Sequence, residues 1–112
     1  MRLNRFGIPP LYAITDIPAE GNYSRLVLRL AAAGLRWIQI RVKGESDLRF
    51  YEEVRRAVLD SPQVTVIVND RVDIAIATGA HGVHLGDRDL PPGLTRKVTA
   101  RDDFIIGCST HE

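Results

Sequence analysis

Residues 64–70 read VTVIVND, a run of five β-branched residues that ends in an amide and a carboxylate. β-branched side chains favour extended backbone, so this run predicts a strand. A strand that is apolar at nearly every position is usually covered on both faces, as the strands of parallel sheets are. The stretch therefore predicts a buried strand of a parallel sheet, with Asn69 and Asp70 at its carboxyl end.

Comparable apolar runs on either side alternate with segments of helical period. Further strands are predicted at residues 11–15, 37–42, 82–85 and 104–108. Helices are predicted from Tyr23 to Gly34 with Asn22 or Ser24 as the cap, from Ser46 to the residues before Pro62, and over 72–78 and 92–98. This alternation predicts the α/β class, with right-handed crossovers between parallel strands. Pattern alone leaves both a barrel and an open doubly wound sheet possible.

Composition narrows the class of protein and of partner. The chain has 112 residues, 45% of them hydrophobic and 26% charged, which is typical of a globular domain and excludes disorder. A net charge of +1 offers no electrostatic basis for binding nucleic acid or an anionic membrane. Its apolar runs are too short to span a bilayer, and the amino terminus lacks a secretory signal, so we expect a cytoplasmic protein.

Length and cysteine content set two further limits. The single cysteine, Cys108, cannot form an internal disulfide, and we expect it to be buried and inert in the last strand. The sequence shows no linker, so we expect one domain over residues 1–112. A complete (β/α)8 barrel takes about 200 residues or more, which this length does not allow.

Polar residues cluster where each apolar strand ends, which is the ligand-binding edge of parallel α/β folds. Gln39, Arg41 and Lys43 alternate along the second strand and are predicted to share one face. Two cations and an amide on a core strand are costly unless they meet an anion, which favours a phosphate or pyrophosphate site. The alternative is an edge strand with a solvated face; the flanking strands argue that this strand is central.

Carboxylates follow the next two strands. Asp70 and Asp89 are oxygen ligands of the kind that hold Mg²⁺ together with phosphate oxygens and water, whereas no Cys/His spacing suits zinc. Each also has a structural interpretation, since Asn69 or Asp70 can cap the helix that begins near Val72, and Asp89 can be a turn residue. As a set beside the predicted anion site, these residues favour metal binding.

Two histidines and a hydroxyl complete the candidates. His84 lies inside a strand, where a histidine is more often packed or hydrogen-bonded than catalytic, and His81 is expected to be exposed in a turn. Ser109 ends the fifth strand and offers a hydroxyl to a phosphate oxygen. No glycine-rich nucleotide fingerprint or Walker loop is present.

Taken together, these segments closely resemble the thiamine phosphate synthase family, which also includes thiazole tautomerases. The resemblance is carried by the sequences at residues 11–16, 39–43, 68–75, 79–86 and 106–111. It implies a (β/α)8 barrel, of which this chain covers about four β/α units and a fifth strand. It also implies the transfer of hydroxymethylpyrimidine from its pyrophosphate to thiazole phosphate, with Mg²⁺ bound and pyrophosphate released.

The resemblance also assigns roles to individual residues. Arg41 and Lys43 would be catalytic, and Asp70 and Asp89 would ligate Mg²⁺. The residues implied to bind the pyrimidine pyrophosphate substrate are Gln39, Arg41, Lys43, Asn69 and Ser109. The chemistry implied for the cationic groups is stabilisation of the departing pyrophosphate, for which no general base is needed.

The chain departs from the family in two ways. Asp87 stands where many members carry Gln, which adds negative charge near the implied metal site. The sequence stops at Glu112, before the strands that supply the thiazole phosphate site in the family. We therefore expect self-association or a complementing barrel half, because an open half-barrel exposes strand edges. A thiazole tautomerase-like isomerase and a non-catalytic phosphate-binding half-barrel are the alternative functions.

Overall fold

The structure, a computed structural model, describes residues 12–15 and 21–109. Its five strands are β1 (Ala13–Ile14), β2 (Trp37–Ile40), β3 (Thr65–Asn69), β4 (Gly82–Leu85) and β5 (Ile105–Cys108). The helices between them are α1 (Tyr23–Ala32), α2 (Asp47–Asp60), α3 (Val72–Thr78) and α4 (Pro92–Thr99). The strands form one parallel sheet in chain order, which confirms the predicted α/β class.

The strand order distinguishes the two architectures that the sequence left open. A doubly wound sheet reverses its strand order and carries helices on both faces. Here the order runs β1-β2-β3-β4-β5 without reversal, and α1 contacts α2, α2 contacts α3 and α3 contacts α4. The helices therefore form one layer on one side of the sheet, as consecutive β/α units of a barrel do.

The hydrophobic core lies between this helical layer and the sheet. Ile38 and Ile40 of β2 and Val66 and Val68 of β3 are fully buried there, together with Val54 of α2. Because strand side chains alternate, the residues between them point to the opposite side. We call this opposite side the inner face; it carries Trp37 and Gln39 of β2, Ile67 and Asn69 of β3, and His84 of β4. No helix in the described part of the chain is long and apolar enough to cross a membrane.

Local signals account for the helix boundaries. The side chain of Asn22 accepts a hydrogen bond from the backbone N–H of Arg25, and Ser46 does the same for Arg49, so both helices begin at predicted caps. Gly34 follows α1 with a φ of 101°, a left-handed conformation that glycine adopts without strain. Helix α2 ends at Asp60, before Pro62, as predicted.

The strands differ more from prediction than the helices do. β2 ends at Ile40 rather than at residue 42, because its ladder with β3 stops at the pair Ile40 and Val68. The first predicted strand lies partly outside the described residues. The expectation of a buried Cys108 is wrong: the residue is exposed, since it is the last residue of β5 at the edge of the described sheet.

Gly82 allows β4 and β5 to approach closely. A Cβ atom at this position would lie 2.6 Å from Cβ of Ile105, and Gly82 is paired in register with Ile105. We predict that Gly82→Ala lowers the free energy of unfolding by about 1–3 kcal/mol, because the two strands must move apart. Chemical denaturation measures this loss. Gly93→Ala is the matched control: Gly93 lies in α4 with open space around it, so alanine should leave stability unchanged or raise it.

His81 links the turn before β4 to β3, because its Nδ1 accepts a hydrogen bond of 3.0 Å from the backbone N–H of Val66. Desolvation and the nearby Arg101 lower the pKa of His81. A lowered folded-state pKa means that the contribution to stability is present above the unfolded value, about 6.5, and is lost as the pH falls below it. We predict that the stability difference between wild type and His81→Ala shrinks between pH 7.5 and pH 5. A difference that stays constant over this range would contradict the prediction.

Candidate functional site

A hydrogen-bonded pair of amides, one buried and one partly exposed, lies on the inner face near the carboxyl ends of the strands. Gln39 is 2% exposed, and its Oε1 accepts a hydrogen bond of 2.8 Å from Nδ2 of Asn69. Nε2 of Gln39 donates in turn to the hydroxyl of Tyr12 at 3.0 Å. Gln39 is therefore a buried residue of a central strand, which argues against the solvated edge strand that the sequence left as an alternative. Sequence reasoning missed Tyr12, although a polar aromatic residue entering the first strand was a signal.

The amide pair continues into a row of polar side chains, one from each strand or from the residue next to it. Asn69 is paired in register with His84, and Nε2 of His84 lies 2.9 Å from Oγ of Ser109. We call this row the polar belt: Tyr12, Gln39, Asn69, His84 and Ser109. The inner face also forms an apolar groove of about 320 Å³, whose lining includes Trp37, Ile67 and Ile105 together with Tyr12 and His84 of the polar belt.

Three charged side chains lie next to the polar belt, and we call them the rim: Lys43, Asp70 and Asp89. Nζ of Lys43 lies 3.5 Å from Oδ2 of Asp70. The backbone N–H of Gly86 donates to Oδ2 of Asp89 at 2.7 Å, and a Cβ atom at Gly86 would lie within 4 Å of carboxylate oxygens of both Asp70 and Asp89. The structure therefore brings Lys43, Asp70 and Asp89 together. The structural interpretation of Asp89 as a turn residue is also confirmed, since its carboxylate accepts the hydrogen bond from Gly86 three residues earlier.

Asp70 holds its position through an unusual backbone conformation. Its φ of 67° is left-handed, which costs a non-glycine residue about 1 kcal/mol or more. Its N–H donates to the carbonyl of His84 at 2.8 Å, and this bond fixes the turn to β4. The residue that caps α3 is Arg71, with no side-chain hydrogen bond to the helix. Neither Asn69 nor Asp70 therefore acts as the helix cap. The Asp70 carboxylate instead contacts Lys43 at the rim.

The rim concentrates negative charge. Desolvation and the adjacent Asp89 carboxylate raise the pKa of Asp70, and Lys43 offsets part of this effect. Within the described residues, no group of three or more His, Cys, Asp or Glu side chains could hold a metal ion. Two carboxylates that need further oxygen ligands match the way Mg²⁺ is usually bound, with water and phosphate oxygens completing its shell.

Arg41 lies beyond the end of β2, and its side chain is exposed. Its backbone N–H donates to Oγ1 of Thr15 at 3.0 Å, and the same hydroxyl donates to the Arg41 carbonyl at 3.3 Å. Thr15, which is 1% exposed, directly follows β1. Its two hydrogen bonds therefore tie the backbone of Arg41 to the end of this strand. The prediction that Gln39, Arg41 and Lys43 share one face rests on the alternation of side chains along a strand. Because β2 ends at Ile40, this alternation does not extend to Arg41 and Lys43. Asp16, Thr110 and His111, the remaining polar residues at predicted strand ends, lie outside the described residues.

Comparison with known proteins matches this chain to one family. The family model for thiamine monophosphate synthase matches residues 11–112. Thiamine-phosphate synthase of Koribacter versatilis is 39% identical over 93% of this chain and 52% of its own length. Thiamine-phosphate synthase of Clostridium tetani is 37% identical over 90% of this chain and 50% of its own length.

A solved structure agrees with the sequence matches. Thiamine phosphate pyrophosphorylase from Pyrococcus furiosus superposes with a TM-score of 0.77 at 30% identity, over 88% of this chain and 48% of that protein. The chain thus spans about half the length of the relatives it matches. The matched region includes the whole polar belt and every residue of the rim. This chain belongs to the thiamine monophosphate synthase family.

Proposed function

We propose that this chain forms the part of a thiamine phosphate synthase that binds hydroxymethylpyrimidine pyrophosphate and Mg²⁺. One observation carries the proposal: Lys43, Asp70 and Asp89 meet at one rim, beside the hydrogen-bonded Gln39–Asn69 pair. A pyrophosphate ester with a heteroaromatic ring needs both features. The charged groups of the rim would bind its pyrophosphate, and the hydrogen-bonding groups of the polar belt would bind its ring.

The anion would be held by Arg41, Lys43 and Ser109. Arg41 provides a planar guanidinium with donors for two phosphate oxygens, and its exposed side chain is accessible to ligand. Lys43 contributes a compact charge that is already located at the rim by Asp70. Both cations are exposed, so phosphate oxygens can replace water around them.

Asp70 and Asp89 would hold the Mg²⁺ ion. Desolvation and the adjacent Asp89 carboxylate raise the pKa of Asp70, and a cation between the two carboxylates would relieve both effects. When bound, Mg²⁺ supplies positive charge that stabilises pyrophosphate as a leaving group. Lys43 lies within reach of the same carboxylate and would contribute charge to the same phosphate oxygens.

The polar belt would orient the pyrimidine. Each amide has two N–H groups, and Asn69 uses one of them to bind Gln39. Its second N–H remains for the substrate, while the bond to Gln39 keeps the amide from rotating. Arg41 and Lys43 would then stabilise the charge that develops on the departing pyrophosphate, an electrostatic contribution that requires no general base. Attack by the thiazole nitrogen needs the second substrate's site, which belongs to the complete barrel.

A thiazole tautomerase-like isomerase is the second candidate. The observation that favours it is His84 on the inner face, because moving a proton on a thiazole requires a group that can exchange one. We favour the synthase, since a monophosphate substrate has less use for the combination of Arg41, Lys43 and two carboxylates.

We further propose that, where the rest of a barrel is absent, a second copy of this chain covers the inner face. Ile14 is 55% exposed and pairs in register with Gln39, which places it on this face beside the apolar groove. β1 and β5 are the two edges of the described sheet. A twofold axis parallel to the strands would bring β5 of one copy beside β1 of the other in parallel orientation, which would pair both edges and bury both grooves.

The pyrophosphate site can be tested by calorimetric titration with and without Mg²⁺. We predict that wild type binds pyrophosphate more tightly with Mg²⁺, and that Arg41→Ala weakens binding about tenfold or more, because a charge-assisted hydrogen bond is lost. Asp70→Asn should remove most of the Mg²⁺ dependence, and asparagine tolerates the left-handed backbone at this position.

Arg56→Ala is the control, because Arg56 is an arginine exposed on the third turn of α2. Arg49, on the same helix, is a less suitable control, because its side chain donates a hydrogen bond to the carbonyl of Gly21 and its loss would also affect the structure. Equal losses for Arg41→Ala and Arg56→Ala would refute the anion site. Binding that is unaffected by Mg²⁺ would refute the roles of Asp70 and Asp89, and the absence of any binding would favour a non-catalytic half-barrel without a phosphate site.

Self-association can be tested by size-exclusion chromatography with light scattering. We predict a dimer that Ile14→Lys converts to monomer, because a lysine on the inner face would be buried without a partner. Leu48→Lys is the matched control, since Leu48 is 66% exposed on α2 in the helical layer and should leave the dimer intact. A compact wild-type monomer at micromolar concentration would rule out the second copy.

A further inference from the structure

The end of the polar belt contains a side-chain pair with a defined geometry. Nε2 of His84 lies 2.9 Å from Oγ of Ser109, although 25 residues separate them in sequence. His84 is paired in register with Gly107, and Ser109 follows two residues later, directly after the end of β5. The N–H of Ser109 donates to the carbonyl of Leu85 at 3.0 Å, so the backbone of the serine is held against β4.

Gly107 provides the space that this pair needs. A Cβ atom at position 107 would lie 3.0 Å from Nδ1 of His84, tighter than ordinary van der Waals contact. The imidazole therefore lies against the backbone of β5, where any larger residue would push it away. Because the ring lies there, its Nε2 points along β5 to the hydroxyl of Ser109.

The direction of the hydrogen bond decides what Ser109 can bind. A serine hydroxyl has one hydrogen to donate and lone pairs to accept with. If Nε2 of His84 accepts that hydrogen, Oγ presents only lone pairs, which repel phosphate oxygens. If Nε2 carries the hydrogen and donates, the hydroxyl hydrogen of Ser109 is free to point at an anion.

We propose that His84 is a positioning residue that carries its hydrogen on Nε2, donates it to Ser109, and so makes the Ser109 hydroxyl a donor to the pyrophosphate. The proposal rests on the proposed function for its anion, and it assigns His84 a role that acts through Ser109 rather than through contact with the substrate. Gly107 is part of the same device, because it lets the ring occupy its place.

The first test measures pyrophosphate affinity in the presence of Mg²⁺. His84→Ala and Ser109→Ala should each weaken binding by about five- to tenfold, and the double variant should lose no more than Ser109→Ala alone, because His84 acts on the anion only through the Ser109 hydroxyl. His84→Gln should stay within about threefold of wild type, because its amide N–H can donate from nearly the position of Nε2. His81→Asn is the control histidine and should bind as wild type does, because His81 lies before β4 and its Nδ1 serves the backbone of Val66.

The second test observes the ring itself. Long-range proton–nitrogen NMR spectra at a pH where the imidazoles are neutral should show His84 with its hydrogen on Nε2. Ser109→Ala should move the Nε2 resonance of His84 and leave that of His81 in place. A hydrogen on Nδ1 of His84 would overturn the proposal, whatever the binding data show.

The outcomes separate this inference from the function on which it rests. If wild type binds pyrophosphate but the losses of His84→Ala and Ser109→Ala add in the double variant, the positioning role is wrong and the proposed function survives. If His84→Gln binds as poorly as His84→Ala, donation from Nε2 is likewise refuted. If wild type does not bind pyrophosphate at all, both the proposed function and the positioning role fail.

Discussion

The buried amide of Gln39 is the constraint on which the site depends. An amide that is 2% exposed must find hydrogen-bond partners inside the protein, and it finds them on the two neighbouring strands, in Tyr12 of the segment leading into β1 and in Asn69 of β3. These bonds hold three consecutive segments in register at the carboxyl edge. Lys43 and Asp70, which follow two of these strands, meet at the rim. An apolar residue at position 39 would pack as well but would leave Asn69 without its acceptor.

The rim itself is electrostatically unfavourable without a ligand. Desolvation of Asp70 and the adjacent Asp89 carboxylate raise the pKa of Asp70, and Lys43 offsets only part of this effect. The left-handed backbone of Asp70 adds further strain. Costs of this kind collect at functional sites, where a bound cation and anion relieve them. The core on the opposite face of the sheet is built from fully buried aliphatic residues such as Val54 and Val66. Their burial supplies stability that offsets the unfavourable energy of the rim.

Prediction from sequence succeeded where a local signal decides the structure. Asn22 and Ser46 cap their helices because their side chains reach backbone groups three residues away, and α3 has the bounds that its pattern predicted. Strand ends were less accurate, because a ladder stops where its partner stops, which no local signal reports. The expected burial of Cys108 failed for a similar reason, since burial at the end of β5 depends on what packs beside it.

The sequence by itself determined the α/β class, the helix caps and the polar residues at strand ends, because these depend on side-chain chemistry and on periods of two and 3.6 residues. It also determined the family, since the motifs that carry it are contiguous. The hydrophobic pattern did not decide between a doubly wound sheet and consecutive units of a barrel, because strand order is a relation between distant segments; the family resemblance implied the barrel, and the tertiary structure shows the strand order directly. It alone paired Gln39 with Asn69, His84 with Ser109 and Lys43 with Asp70, contacts that bridge 25 to 30 residues of chain. Such contacts follow from the register of neighbouring strands and the turns after them, which the linear pattern does not contain.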